Sequence, residues 1–271
     1  MTWVWLDGKI LPEDEALVPA VDPAFLYGRG VFEVVRGYGG IPYRLGDHLE
    51  RMRLSARRFG IPYRVPDLEP VVRGLSRRND APDAYVRITL SGLGHLLVTV
   101  RPRQPLPPSW YERGARLLVA PWRRDPRAPL VGHKTLNYLE NVLSHEKALR
   151  RGYADMLYVG TRDEILEGCV SNIFLVFGGR IVTPPLGQNV LPGVTRKAVM
   201  ELAPVRERIV RRKEMREADE VFITNALIEV LPVGRPGPVT RRLAEAYRSA
   251  LLTFLRRRNV SSVNVSATRE R

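Results

Sequence analysis

Residues 102–108 carry four prolines, Pro102, Pro105, Pro107 and Pro108, and this stretch limits the fold more than any other part of the sequence. Proline fixes φ and lacks an amide hydrogen, so neither a helix interior nor a central strand runs through such a segment. The chain is expected to divide there. Before it, Val31–Tyr38 and Ile41–Leu45 read as strands joined by the turn Gly39-Gly40. A helix is expected from Gly46 to Phe59, with Leu49, Met52, Leu54, Ala56 and Phe59 on its apolar side, Asp47 as N-cap, and Gly60 and Pro62 ending it. A helix over Asp67–Ser76 and strands over Ala84–Leu90 and His95–Arg101 complete a small α+β domain, residues 1–114. Residues 115–132 form a basic, proline-containing connection. A larger α/β domain spans 133–258, with helices at Leu139–Arg151, Val194–Leu202 and Val239–Arg258. Its strands are Asp155–Gly160, Glu220–Thr224 and the hairpin Cys169–Phe177/Arg180–Thr183. Residues 259–271, polar and rich in Ser and Arg, read as a disordered tail.

With 271 residues and 44% hydrophobic content the chain is globular. No run approaches the ~18 apolar residues of a membrane span, and the N-terminus lacks the pattern of a signal peptide. The single cysteine, Cys169, excludes a disulfide framework and a multi-cysteine metal site. No metal is expected, and the cytoplasm is the simplest address. A net charge of +14 raises the reading of a basic nucleic-acid-binding protein. The arginines are spread along the whole chain, however, and no zinc finger or RNA-recognition module is visible. That reading remains a remote alternative, with neither nucleic acid nor membrane expected as partner.

The charge has an uneven origin. Of 43 basic residues only five are lysines: Lys9, Lys134, Lys147, Lys197 and Lys213. Arginine stays protonated and cannot serve as an amine nucleophile, so a lysine kept in such a chain draws attention where its setting is not an ordinary surface. Lys9 follows a turn, Lys147 and Lys197 sit in helical patterns, and Lys213 lies in a basic run. Lys134, in Gly132-His133-Lys134-Thr135-Leu136-Asn137-Tyr138, has no exposed-helix pattern before Asn137.

Four local patterns follow one another. They are Tyr27-Gly28-Arg29-Gly30-Val31-Phe32-Glu33; Asp47-His48-Leu49-Glu50-Arg51; Lys134, with Glu167-Gly168-Cys169-Val170-Ser171-Asn172 beginning 33 positions later (167 − 134); and Leu191-Pro192-Gly193-Val194-Thr195-Arg196. Each has a bland reading: a turn before a strand, a surface arginine on a helix, an ordinary helix entry.

Taken together, the four patterns resemble the class IV (fold-type IV) pyridoxal-phosphate enzymes. These comprise branched-chain and D-amino-acid aminotransferases, (R)-selective amine transaminases and 4-amino-4-deoxychorismate lyases. The resemblance runs from about Trp5 to Tyr247. It implies a two-domain protein, a small α+β N-terminal domain and a larger α/β barrel-like C-terminal domain, with pyridoxal 5'-phosphate as cofactor. On the family pattern Lys134 is the catalytic Schiff-base lysine, and Glu167 is the carboxylate that keeps the pyridine nitrogen protonated. Arg51 matches the phosphate-binding arginine, and the Val194 and Thr195 amides present a helix N-terminus to the phosphate. Tyr138 is placed near the cofactor's phenolic oxygen, Asn172 supports the site, and Asn225 and Ala226 lie on the phosphate-side loop. The resemblance also implies a homodimer, with the apolar surface around Tyr85–Leu97 contributing.

The choice of family member is divided. Val31-Phe32-Glu33-Val34-Val35 resembles the substrate-pocket strand of the aminotransferases, Tyr85-Val86-Arg87 their Tyr-x-Arg element, and Glu229-Val230-Leu231-Pro232-Val233 their Glu-Ile-x-Pro-Val ending. Tyr27, Phe32, Tyr85 and Arg87 are the implied substrate-binding residues. Lys134-Thr135-Leu136-Asn137 has the shorter spacing of the D-amino-acid enzymes and lyases, and Thr224-Asn225-Ala226-Leu227 resembles the lyase form of the loop. The D-amino-acid enzymes' carboxylate-gripping arginine and histidine have no match in Ser91-Gly92-Leu93-Gly94-His95. Two readings stay open. The first is a transaminase passing an amino group from a branched-chain-like or small hydrophobic amino acid, or an amine, to a 2-oxo acid acceptor. The second is a 4-amino-4-deoxychorismate lyase releasing pyruvate. Tyr85-Val86-Arg87 also has a second reading, a plain strand with Arg87 in solvent.

Overall fold

The computed structural model describes residues 1–258; the tail expected at 259–271 lies outside them. The chain forms two compact units. The first holds Met1–Pro105 together with His133–Asn137 and the end of the last helix from Leu251; the second holds Leu106–Gly132 and Tyr138–Ala250. The chain leaves the first unit after Pro105, earlier than residue 114. The lysine segment, expected in the second domain, is built into the first.

The first unit is an antiparallel six-stranded sheet in the order β2-β1-β6-β5-β3-β4. The strands are β1 (Trp3–Leu6), β2 (Lys9–Pro12), β3 (Val31–Tyr38), β4 (Ile41–Pro42), β5 (Asp83–Leu90) and β6 (Leu96–Pro102). The short helix α1 (Pro23–Tyr27) precedes β3, and α2 (Leu45–Arg58) and α3 (Glu69–Arg78) supply Met52, Ala56, Val72 and Leu75 to the core. Alternation along β3 and β5 decides what each sheet face carries. Val31, Val35, Val86, Ile88 and Leu90 join that core. Phe32 pairs Thr89, Val34 pairs Arg87 and Arg36 pairs Tyr85 on the opposite face.

Two expectations are corrected here. The strand starting at Ile41 ends at Pro42, because Arg44 adopts a left-handed conformation (φ 55) and starts the helix at Leu45. Asp47 is consequently inside the first turn rather than at the N-cap, with its carboxylate accepting from Arg44 Nε at 2.7 Å.

The second unit has a five-stranded sheet, β12-β11-β10-β13-β14, and a three-stranded one, β7-β8-β9. These strands are β7 (Leu117–Arg124), β8 (Asp155–Gly160), β9 (Ile165–Gly168), β10 (Asn172–Phe177), β11 (Arg180–Thr183), β12 (Val205–Glu207), β13 (Glu220–Asn225) and β14 (Glu229–Val233). Residue 115 links the two sheets: Ala115 N–H donates to Pro232 O and Gly234 N–H to Ala115 O, each at 2.8 Å. The helices are α4 (Pro108–Glu112), α5 (Leu139–Arg150), α6 (Val194–Leu202) and α7 (Pro238–Arg257); α7 passes into the first unit at Leu251.

Two further corrections fall in this unit. The expected connection at 115–132 contains β7, which pairs in parallel with β8 and shifts register between Val119 and Arg123, where Pro121 cannot donate. The hairpin strand expected from Cys169 begins at Asn172, because Gly168–Ser171 forms a turn closed by Gly168 N–H to Ser171 O at 2.8 Å.

Candidate active site

In the first unit, the lysine segment lies along the start of β3. Phe32 N–H donates to Lys134 O at 2.9 Å, and Leu136 N–H donates to Gly30 O at 3.0 Å. This close approach explains the glycines of the first pattern. A Cβ on Gly30 would meet Leu136 Cδ1 at 2.4 Å and Leu90 O at 2.8 Å. Gly28 takes a left-handed conformation (φ 66) against Asn137, whose Nδ2 donates to Gly28 O at 2.9 Å. His133 fastens the same segment to α2: its Nδ1 is 3.1 Å from Ser55 Oγ and its ring meets Phe59 edge-on.

The Lys134 ammonium stands 4.3 Å from the centroid of the Phe32 ring, and the Arg87 guanidinium carbon stands 4.0 Å from the same centroid. Arg87 is half-buried against this aromatic face, on the less buried side of an alternating strand, and its Nε donates to Thr89 Oγ1 at 3.3 Å. Tyr85 shares its sheet face. Tyr27, at the end of α1, is exposed.

Arg51 is less simply placed than its sequence match implies. Glu33, fully buried on β3, accepts from Arg51 Nε at 2.8 Å and from Nη2 at 2.6 Å. His48, one turn earlier on α2, stands with Nδ1 2.7 Å from Glu33 Oε2. Burial opposes ionisation of Glu33, but the Arg51 charge and the hydrogen bonds from Arg51 and His48 outweigh it and lower its pKa to about 2. Burial depresses His48 in turn, so its neutral ring donates to Glu33. Glu33 and His48 stand within the sequence motifs, but the sequence alone gives them no role. The usable signal is an acid on a strand facing two basic side chains three apart on the next helix.

In the second unit, Glu167 is the last residue but one of β9. Its Oε2 accepts from Leu191 N–H at 2.9 Å, and Asn172 Nδ2 donates to Leu191 O at 2.9 Å. The Leu191 peptide is thus gripped at both ends. Oε1 lies 3.8 Å from Arg124 Nη1, a neighbour the sequence did not reveal because Arg124 sat in an expected loop. Tyr138 donates its hydroxyl hydrogen to Cys169 O at 3.1 Å, beside Asn141 Nδ2 at 2.6 Å. Burial, with Glu167 nearby, pushes the Tyr138 phenol above its usual range, so it stays protonated.

Leu191-Pro192-Gly193 leads into α6, whose N-cap is Gly193 and whose first residues are Val194 and Thr195. The first intrahelical bond is Lys197 N–H to Gly193 O, so the Val194, Thr195 and Arg196 amides precede the helix ladder. A Cβ on Gly193 would collide with Asn172 Oδ1 at 1.9 Å. Asn172 pairs across the sheet with Thr224, whose buried Oγ1 has no hydrogen-bond partner among the described residues. Asn225 turns the loop after β13: its Oδ1 accepts from Leu227 and Ile228 N–H, and its Nδ2 donates to Val170 O. Ala226 is half-buried in that loop. The orphaned buried Thr224 hydroxyl and the α6 N-terminus form a donor set suited to an anionic group such as a phosphate, and the buried, oriented Glu167 carboxylate is an acceptor suited to a protonated nitrogen.

Comparisons with known proteins identify the family. The model of the family "Amino-transferase class IV" matches residues 30–235. The branched-chain-amino-acid aminotransferase of Escherichia coli (strain K12) is 30% identical over 288 residues, covering 90% of this chain and 91% of that protein. The branched-chain aminotransferase of the thermophilic archaeon Thermoproteus uzoniensis, solved with norvaline, superposes with a TM-score of 0.82 at 30% identity, covering 93% and 95% of the two chains. A Legionella pneumophila structure provisionally named a 4-amino-4-deoxychorismate lyase gives 0.79 at 25% identity, covering 88% and 97%.

The chain belongs to the class IV aminotransferases, with the two-domain α+β fold of that family. It is a transaminase-type enzyme that uses pyridoxal phosphate, and the donor set above fits that cofactor. Among the described residues no helix is long and apolar enough to cross a membrane. Much of the basic run at 206–216 is paired, with Arg208 on Glu214 and Arg212 on Asp163.

Proposed function

We propose that this enzyme moves an amino group from a small or branched hydrophobic amino acid to a 2-oxo acid. The observation that carries the reading is the Phe32 ring shared by Lys134 and Arg87, at 4.3 and 4.0 Å. A fixed guanidinium beside the reactive amine, against an aromatic wall, suits a substrate with a carboxylate at one end and an apolar side chain at the other.

Pyridoxal phosphate, when bound, supplies an aldehyde for amine exchange and a ring that takes up an electron pair. Lys134 holds the cofactor and then moves the proton at the substrate α-carbon. Glu167, oriented through Leu191 and Asn172, keeps a proton on the ring nitrogen. Arg51, the Val194 and Thr195 amides, and the loop at Asn225 and Ala226 receive the phosphate. Thr224 is added to that group on the strength of its orphaned hydroxyl. Tyr138 lies on the phenolic-oxygen side. Tyr27, Phe32 and Tyr85 line the apolar part, and Arg87 takes the carboxylate. Similarity to branched-chain aminotransferases supports this choice of substrate.

The lyase reading retains one specific support, the Thr224-Asn225-Ala226 loop and its resemblance to the lyase form. A homodimer is also part of the proposal. Its support is a run of exposed apolar residues, Leu17, Val21, Phe25, Leu26 and Tyr27, whereas within Tyr85–Leu97 the exposed large hydrophobic is Leu93. Purified enzyme mixed in turn with leucine, isoleucine and valine should convert its absorbance to the pyridoxamine form, and aminodeoxychorismate should release little pyruvate. Rapid pyruvate release with no amino acid changing the spectrum would establish the lyase instead.

A further inference from the structure

Asp155 opens β8, is fully buried, and has no role among those assigned above. The turn between β9 and β10 is wrapped around its carboxyl. Oδ1 accepts from Cys169 Sγ and from Met156 N–H, each at 2.7 Å. Oδ2 accepts from Ser171 Oγ at 2.5 Å and from Val170 N–H at 3.4 Å. Cys169 N–H donates to Met156 O at 2.8 Å, tying the turn to β8. There is no slack: a Cβ on Gly168 would stand 2.2 Å from Asp155 Oδ2 and 2.3 Å from Ser171 Oγ.

A buried acid served by neutral donors is an expensive way to hold a short turn, since replacing a buried hydrogen-bonded set by apolar groups of the same shape can be nearly neutral for stability. What the acid fixes in addition is direction. Glu167 stands immediately before the turn and Asn172 immediately after it, and these two side chains grip the Leu191 peptide. Burial raises the Asp155 pKa, while the bonds from Cys169 and Ser171 pull it back down. The Cys169 thiol is itself pushed up by burial and by Asp155, so it remains a donor.

We propose that Asp155 is a positioning residue: by holding the 168–171 turn through Cys169 and Ser171, it aims the Glu167 carboxylate at the cofactor's ring nitrogen. The proposal rests on the reading of Glu167 given above. The test is the solid-state 15N spectrum of holoenzyme loaded with cofactor labelled at the ring nitrogen, recorded for the parent, Glu167→Gln, Asp155→Asn and Ser171→Ala. The parent is expected to show a protonated ring nitrogen. Glu167→Gln and Asp155→Asn should both move it toward the unprotonated position. Asp155→Asn should also lose up to about 10²-fold in kcat with KM little changed, the scale of a misplaced group. An unmoved signal in Glu167→Gln overturns the Glu167 reading and this proposal with it. A moved signal in Glu167→Gln with an unmoved one in Asp155→Asn overturns the Asp155 role alone. Should Asp155→Asn fail to fold, Ser171→Ala, which removes one donor from Oδ2, decides in the same way: displacement supports the role and an unmoved signal overturns it.

Discussion

Replacing Arg51 should do more to the first unit than loosen a phosphate. Glu33 is fully buried and takes two hydrogen bonds from the Arg51 guanidinium, so Arg51→Met strands a carboxylate in a dry interior. Against the opposing effect of burial, the charge and hydrogen bonds of Arg51, helped by His48, lower the Glu33 pKa from 4.5 to about 2. A depression of that size corresponds to roughly 3 kcal/mol of stability. The sign follows from linkage. A depressed carboxyl stabilises the parent fully above the unfolded value of 4.5, and that contribution is lost as the pH falls toward about 2. In Arg51→Met, burial is left as the dominant influence and raises the carboxyl instead. The folded variant then binds the proton more tightly than the unfolded chain, and its stability falls as the pH rises through the carboxylate range. Urea unfolding of cofactor-free protein at several pH values between 3 and 7 measures this. At pH 7 the variant should lose at least about 3 kcal/mol, the parent's contribution plus the cost of ionising the raised carboxyl, and Glu33→Gln added to Arg51→Met should recover part of it, because no buried charge remains. A variant as stable as the parent at pH 7, with the same pH dependence, would refute the reasoning. Weakened cofactor binding in an Arg51 variant therefore needs this control before it is credited to the phosphate.

Thr224→Val should leave the cofactor-free protein as stable as the parent or more stable by about 1 kcal/mol, since the hydroxyl it removes has no partner. The same variant should bind cofactor about tenfold more weakly; calorimetric titration showing equal affinity would dissociate Thr224 from the phosphate. Gly30→Ala should cost roughly 1–3 kcal/mol, because its Cβ meets the Leu90 carbonyl as well as the Leu136 side chain, and an unchanged thermal midpoint would show that the lysine segment packs less closely than described.

The elements most legible in the sequence had strong local signals. Val31–Tyr38, Asp155–Gly160 and Val194–Leu202 have the expected ends, each bounded by glycine, proline or a clear change of pattern. What escaped depended on contacts far along the chain. Residues 133–137 could not be assigned to the first unit from their sequence, because their partners Gly28, Gly30 and Phe32 lie about a hundred positions earlier. β7 was concealed by Pro121, which the register shift absorbs. Cys169–Ser171 looked like strand because its residues suit one, yet the buried Asp155 carboxyl takes their donors and bends them into a turn. Lys134, Glu167 and Arg51 stood out through residue type, order and resemblance. Thr224, Arg124 and the Glu33–His48 pairing are visible only in the folded chain, because their significance lies in burial and orientation.

Lys134 as the cofactor's attachment point is tested most directly by borohydride reduction of the yellow holoenzyme followed by peptide mapping. The cofactor should be fixed to the peptide containing Lys134, and Lys134→Ala should lose turnover. Recovery of the label on Lys9, Lys147, Lys197 or Lys213, or full turnover in Lys134→Ala, would contradict it.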